Sequence, residues 1–229
     1  MITKEYWLPT KVDDIINSFK FNSRPVLKKN LAYNIQYLQF LSRNIELEIT
    51  TTTLYRMRYK TFVVISMSII EAIFMALLEE RNLIPIVEWK EGTHHKKIID
   101  ENTIEVSFKR KRIAPTKKKI NFDEAIYLME ENMVLDLYEA SYPVLRELQK
   151  LRNHLHLEKA QEPVNSDYNK FTDSIYKIMK LVLYNILNND IVSTNKNYLE
   201  FLKLDNDWYW QPTILIDWLS YNLKVVYLH

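Results

Sequence analysis

A chain of 229 residues that holds a single glycine, Gly92, has almost nowhere to place a residue at positive φ without steric cost. Glycine-rich phosphate loops and dinucleotide-binding fingerprints need several such positions at fixed spacing, so P-loop and Rossmann nucleotide folds are excluded. Cysteine is absent altogether. Disulfides, thiolate zinc sites, iron–sulfur clusters and a cysteine nucleophile are thereby removed, and a reducing cytoplasm is the expected location. Apolar side chains make up 47% of the sequence, which is enough for one compact domain over residues 1–229 with a small insertion.

The most apolar run, Phe62 to Leu78, approaches the length of a membrane span, but Glu71 interrupts it and Lys60 and Glu79 bound it closely. It reads as a buried core helix, and no membrane partner is expected. The first fourteen residues lack the basic start and apolar centre of a secretory signal.

Leu31, Ile35, Leu38, Leu41 and Ile45 recur at three- and four-residue spacing, which predicts a helix over Asn30 to Ile49. A second, longer helix follows over Leu54 to Asn82, ending just before Pro85. From Ile86 to Pro115 the period shifts toward two, with Ile104, Val106 and Phe108 alternating against Thr103, Glu105 and Ser107, so a short strand pair is expected. Asn121 and Glu124 have the spacing of a capping box opening a helix over Phe122 to Asn132. Another helix is expected from near Ser141, with Pro143 in its first turn, to Leu157. One more covers Asp167 to Asn188, and two shorter ones cover Lys196 to Leu204 and Thr213 to Leu223. No repeat or low-complexity linker divides the chain. The expected architecture is an all-α bundle with a small basic β-hairpin insertion, about residues 86–119, between the second and third core helices, and a helical extension over about 190–229.

Net charge is only +2, yet the window Lys90 to Lys119 holds ten basic and four acidic side chains. Seven of these charges, Lys109, Arg110, Lys111, Arg112, Lys117, Lys118 and Lys119, fall within eleven positions, with Phe108 and Phe122 at the edges. Such a string can track an RNA backbone through phosphate contacts that weaken as salt rises. It fits equally a solvated charge run that guards the edges of an exposed hairpin.

The segment Leu151 to Lys159 gathers the groups a phosphodiester reaction uses. Arg152 and His156 are four apart, so at roughly 100° per residue they lie on one flank of a helix, one turn apart. An imidazole titrating near neutrality can take or give a proton, and a guanidinium can hold a phosphate whose charge grows in the transition state. With the 2′-hydroxyl as nucleophile, the pair suffices for RNA cleavage without metal or other cofactor. The same residues also fit a structural arginine paired across the bundle and a half-buried histidine. Glu71, inside an apolar helix, needs a cation or a proton. Arg152 is the proposed partner; pairing with Arg56, Arg58 or another structural base, or reaching the surface, fits equally well.

An Arg-Asn step followed a turn later by His, on a late helix of a small helical bundle, resembles the HEPN superfamily over roughly Asn30 to Asn188, with the motif confined to Arg152, Asn153 and His156. The family spacing is four to six residues between Arg and His; here it is three. The resemblance implies a metal-independent endoribonuclease of phage-defence or toxin–antitoxin type, working as a homodimer whose two motifs form one cleft. It implies RNA as substrate and an antitoxin or other defence protein as a partner. His156 then acts as general acid or base, Arg152 holds the scissile phosphate, Asn153 shapes the site, and Glu71 stands near the Arg and His. The alternative is a non-catalytic helical module of the same fold that binds RNA, a nucleotide or a partner protein.

Other chemistries fare poorly. His94 and His95, next to Gly92, are expected in a loop with diverging side chains. His154 and His156 are about 160° apart around a helix and make a poor chelate. The aromatic cluster Trp208, Tyr209, Trp210 and Trp218 reads as a packing or interface feature.

Overall fold

The computed structural model describes residues 8–21, 24–47, 50–100, 103–138, 140–153 and 167–204, with the side chains of 90–111, 167 and 168 excepted. The protein is mostly helical. Seven α-helices and one antiparallel strand pair occur among the described residues: α1 Val12–Ser18, α2 Pro25–Leu47, α3 Thr52–Glu80, β1 Ile86–Asp100, β2 Thr103–Lys117, α4 Phe122–Glu131, α5 Ser141–Asn153, α6 Asp167–Lys170 and α7 Asp173–Leu187. A 3-10 turn, Asn197–Leu202, follows α7.

The central element is α3. Over its most apolar window the mean hydropathy is 2.3, and its length and composition would also suit a membrane span, but 61% of that window is buried inside the protein. The reason is its position: α2, α4, α5, α6 and α7 all pack against it, so an apolar residue on almost any side of the helix finds a neighbour. Phe62, Met67, Ile70, Ile73 and Phe74 are fully buried, in one cluster with Ile35 and Leu38 of α2, Ile126 of α4, Leu148 of α5 and Met179 of α7. Each such side chain contributes roughly 1.5–3 kcal/mol through burial. The helix starts at Thr51, whose side chain accepts from the backbone N–H of Leu54.

With glycine scarce, helix ends use other residues at positive φ. Asn82 (φ 55°) and Met133 (φ 46°) take the left-handed position after α3 and α4. At each end the next N–H reaches back five residues, Leu83 to the Leu78 carbonyl at 2.9 Å and Val134 to the Met129 carbonyl at 3.0 Å. Both are Schellman closures, normally glycine's role. All four apolar residues of the two closures are buried or half-buried.

Buried polar groups tie the segments at Thr10 and Tyr198 to α2. Gln39 Nε2 donates to the Tyr198 carbonyl and to Thr10 Oγ1, both at 2.9 Å, while its Oε1 accepts from the Thr10 N–H. Ser42 Oγ and Tyr176 OH share a hydrogen bond of 2.9 Å, and Lys180 on α7, 4% exposed, reaches Glu46 of α2 at 3.3 Å. Burial drives the Tyr176 phenol far above its ordinary value.

Several expectations are corrected. The strand pair is not short: each strand has 15 residues. His94 and His95 are not in a loop but in β1, paired with Phe108 and Ser107 of β2, because a register shift between Glu91 and His94 absorbs Gly92 and Thr93. Pro115 is tolerated in β2 because each strand of a two-stranded ribbon is an edge. The helix expected over Asp167 to Asn188 is two helices. Phe171 turns inward, 1% exposed, its carbonyl accepts from Arg56 Nη1 at 3.1 Å, and extended Thr172 caps a new start by accepting from the Ile175 N–H. The stretch expected to be helical from Lys196 to Leu204 is the 3-10 turn, and α1 lies outside the expected elements. Phe122, placed at the rim of the basic window, is instead buried against Phe74, ring centroids 6.1 Å apart.

Candidate functional site

Helix α5 carries the expected motif to its last described turn. Tyr142, Val144, Leu145 and Leu148 form its buried stripe, which turns Arg146 and Arg152 toward the flanks. Burial and the nearby Glu130 carboxylate push the Tyr142 phenol up to about 12. Arg146 pairs with Glu130 of α4 and fixes the two helices side by side.

Arg152 lies in the last described turn of α5. Its Nη1 donates to Glu71 Oε2 on α3 at 2.6 Å, and the two side chains are 28% and 36% exposed. The expected pair is therefore present. Arg56 and Arg58, the alternatives, instead donate to the carbonyls of Phe171 and Asn44. A charge-assisted bond of this length locks a planar guanidinium at the boundary between core and solvent. Among the described residues Glu71 is the one hydrogen-bonding partner of Arg152. Asn153, the last residue of α5, is exposed. His156 and His154 lie outside the described residues, as does the cluster Trp208, Tyr209, Trp210 and Trp218 and the stretch Thr213 to Leu223.

The basic string is spread out. Lys109 to Arg112 lie along β2, with Arg110, Lys111 and Arg112 paired in register with Glu91, Lys90 and Trp89. Lys117 pairs with Ile86 at the foot of the hairpin, and the Lys118 N–H closes it on the Pro85 carbonyl at 2.7 Å. At about 3.3 Å per residue, Lys109 to Lys117 spans roughly 25 Å. Part of the charge is engaged: Lys118 pairs with Glu124, whose carboxyl is held below its ordinary value by that bond and by the Asn121 N–H, and Arg112 lies 3.9 Å from Glu88. Lys117 and Lys119 are exposed.

A cleft of about 810 Å³ opens at the C-terminal end of α7, lined by Asp136, Tyr138, Tyr184, Asn185, Asn189 and Lys196 among others. Sequence reasoning missed it, since Asn188 to Asp190 carries only the signal of a helix end. Lys196 bonds Asp190 at 2.7 Å and holds its carboxyl below the ordinary value. No three histidine, aspartate or glutamate side chains come together to hold a metal ion among the described residues. No protein-family model matches the chain, and neither a curated protein nor a solved structure matches it.

Proposed function

We propose that the chain is a HEPN-like endoribonuclease that cleaves RNA without metal, as a homodimer, in a phage-defence or toxin–antitoxin setting. The observation that carries the reading is the Arg152–Glu71 pair: an arginine in the last described turn of the motif helix, held in place by a carboxylate from the core helix. A guanidinium fixed in this way loses little freedom when a phosphate docks against its remaining N–H groups.

In the reaction the 2′-oxygen attacks the adjacent phosphorus and the bond from phosphorus to the 5′-oxygen breaks. The proton of the 2′-hydroxyl leaves to a base and another is delivered to the departing 5′-oxygen, so the products are a 2′,3′-cyclic phosphate and a 5′-hydroxyl. His156 serves in that proton transfer, Arg152 binds the non-bridging oxygens, and Glu71 positions Arg152. The basic hairpin adds contacts along the RNA backbone.

A second reading is favoured by the same pair and by the shortened motif. With its guanidinium engaged by Glu71, Arg152 is also the hub of a stable, non-catalytic module that binds RNA, a nucleotide or a partner protein. Incubation of total RNA with folded wild type, His156→Ala and Arg152→Ala in excess EDTA separates the two. Cleavage by wild type alone supports the nuclease; RNA retention without cleavage by all three supports the module.

A further inference from the structure

Helix α2 has two stripes. One is the core face already described. The other is a second row, Val26, Asn30, Tyr33, Tyr37, Phe40, Asn44 and Leu47, whose steps alternate four, three, four, three, four, three. It runs the full helix on the side away from the core: Val26 is 72% exposed, Tyr33 48%, Tyr37 44%, Phe40 51% and Leu47 61%. Every exposed large hydrophobic residue of α2 belongs to this row. A strict seven-residue repeat of large side chains is the spacing of a helix-to-helix seam, and solvent gives it no stabilisation.

The order of residues along the row selects the occupant. Read from either end it is nearly the same: Val26 answers Leu47, Asn30 answers Asn44, Tyr33 answers Phe40, and Tyr37 stands at the centre. Under a two-fold axis each residue of the row meets its counterpart, so apolar meets apolar and amide meets amide along the helix, as an isologous contact needs. The area is adequate as well. At 150–250 Å² for a whole aromatic side chain, the half-exposed rings with Val26 and Leu47 offer about 500 Å² per copy, so two copies bury roughly 1,000 Å² before flanking residues are counted.

We infer that α2 pairs antiparallel with α2 of a second copy of this chain, Tyr37 meeting Tyr37 across the two-fold axis and the paired asparagines setting the register. The seam shares no residue with the Arg152 site; it supplies an interface for the homodimer of the ribonuclease reading, and a dimer indifferent to Phe40→Glu removes the seam while leaving that reading in place. Lys29, whose ammonium lies over the Tyr33 ring, faces Arg43 of the opposing copy in this register. Added salt therefore strengthens the pairing, whereas a nucleic acid stacked on the same aromatics is released by salt.

The test uses the full chain. Sedimentation velocity at low and moderate salt is expected to show a dimer, favoured by the higher salt, that Phe40→Glu weakens about a hundredfold. The Tyr127→Glu control, 54% exposed on α4, which packs on α3 and α5, leaves it unchanged, and circular dichroism checks that both variants fold. Because the chain has no cysteine, Tyr37→Cys is expected to form a disulfide-linked dimer on mild oxidation. Val26→Cys links only when mixed with Leu47→Cys. A monomeric wild type, a dimer indifferent to Phe40→Glu, or self-linking of Val26→Cys overturns the proposal. So does a monomer whose affinity for single-stranded RNA falls in Phe40→Glu, which assigns the row to base stacking instead.

Discussion

Replacing Glu71 by Gln keeps the size of the side chain and removes the charge that Arg152 meets. Two unit charges about 4 Å apart at an effective dielectric constant of ~20 attract by roughly 4 kcal/mol. About a third of each side chain is in water, 28% for Arg152 and 36% for Glu71, and ordering the long arginine opposes the gain. The expected coupling energy is therefore about 1–2 kcal/mol, between the values for exposed pairs and for buried ones. Urea unfolding of wild type, Glu71→Gln, Arg152→Gln and the double variant measures it as a double-mutant cycle. Each single variant should lower Tm by roughly 3–6 °C for a chain of this size. In the RNA assay Glu71→Gln should slow cleavage by about tenfold, chiefly in kcat, because the guanidinium loses its orientation rather than its charge. Additive single effects, with a coupling below about 0.5 kcal/mol, would refute the view that this pair holds Arg152 in place.

Other consequences follow from particular residues. Met133, 83% exposed and at φ 46°, carries a left-handed strain that glycine does not, so Met133→Gly should raise stability by about 0.5–1 kcal/mol in urea titrations while Met133→Ala should not. The Tyr142 phenol is raised in the folded protein from 10.0 to about 12. Its contribution is fully present below pH 10.0 and is lost as pH rises toward about 12. Alkaline melting curves of Tyr142→Phe should fall less steeply over that window than those of wild type. Neutralising Lys109, Arg110, Lys111 and Arg112 together should lower the salt dependence of RNA binding by about 2–3 units of log K per log salt, read by fluorescence anisotropy; an unchanged slope removes the hairpin from the RNA contact.

Helices α2, α3 and α4 were legible because a buried stripe imposes its period on the sequence. The capping box at Asn121 was legible because its two hydrogen bonds need those side chains at that spacing, and both form, at 2.9 and 3.2 Å. The Arg152–Glu71 pair could be anticipated from the cost of an unpaired carboxylate beside Ile70. The full length of the hairpin could not, because pairing in a ribbon is backbone bonding, which almost any residue can make. The break at Thr172 was hidden by apolar spacing that continues across Phe171 and Ile175. The closures at Asn82 and Met133 lacked their usual glycine marker. On α2 the strong core stripe masked the weaker aromatic row behind it, although the seven-residue repeat from Val26 to Leu47 was there to be read.

The proposed ribonuclease acts through Arg152 and His156 and needs no metal. The direct measurement is incubation of end-labelled RNA with purified protein in excess EDTA, with His156→Ala and Arg152→Ala as folded comparisons. Fragments ending in 2′,3′-cyclic phosphate are expected from wild type and none from either variant. Intact RNA with folded wild type, or cleavage that survives in His156→Ala, contradicts it.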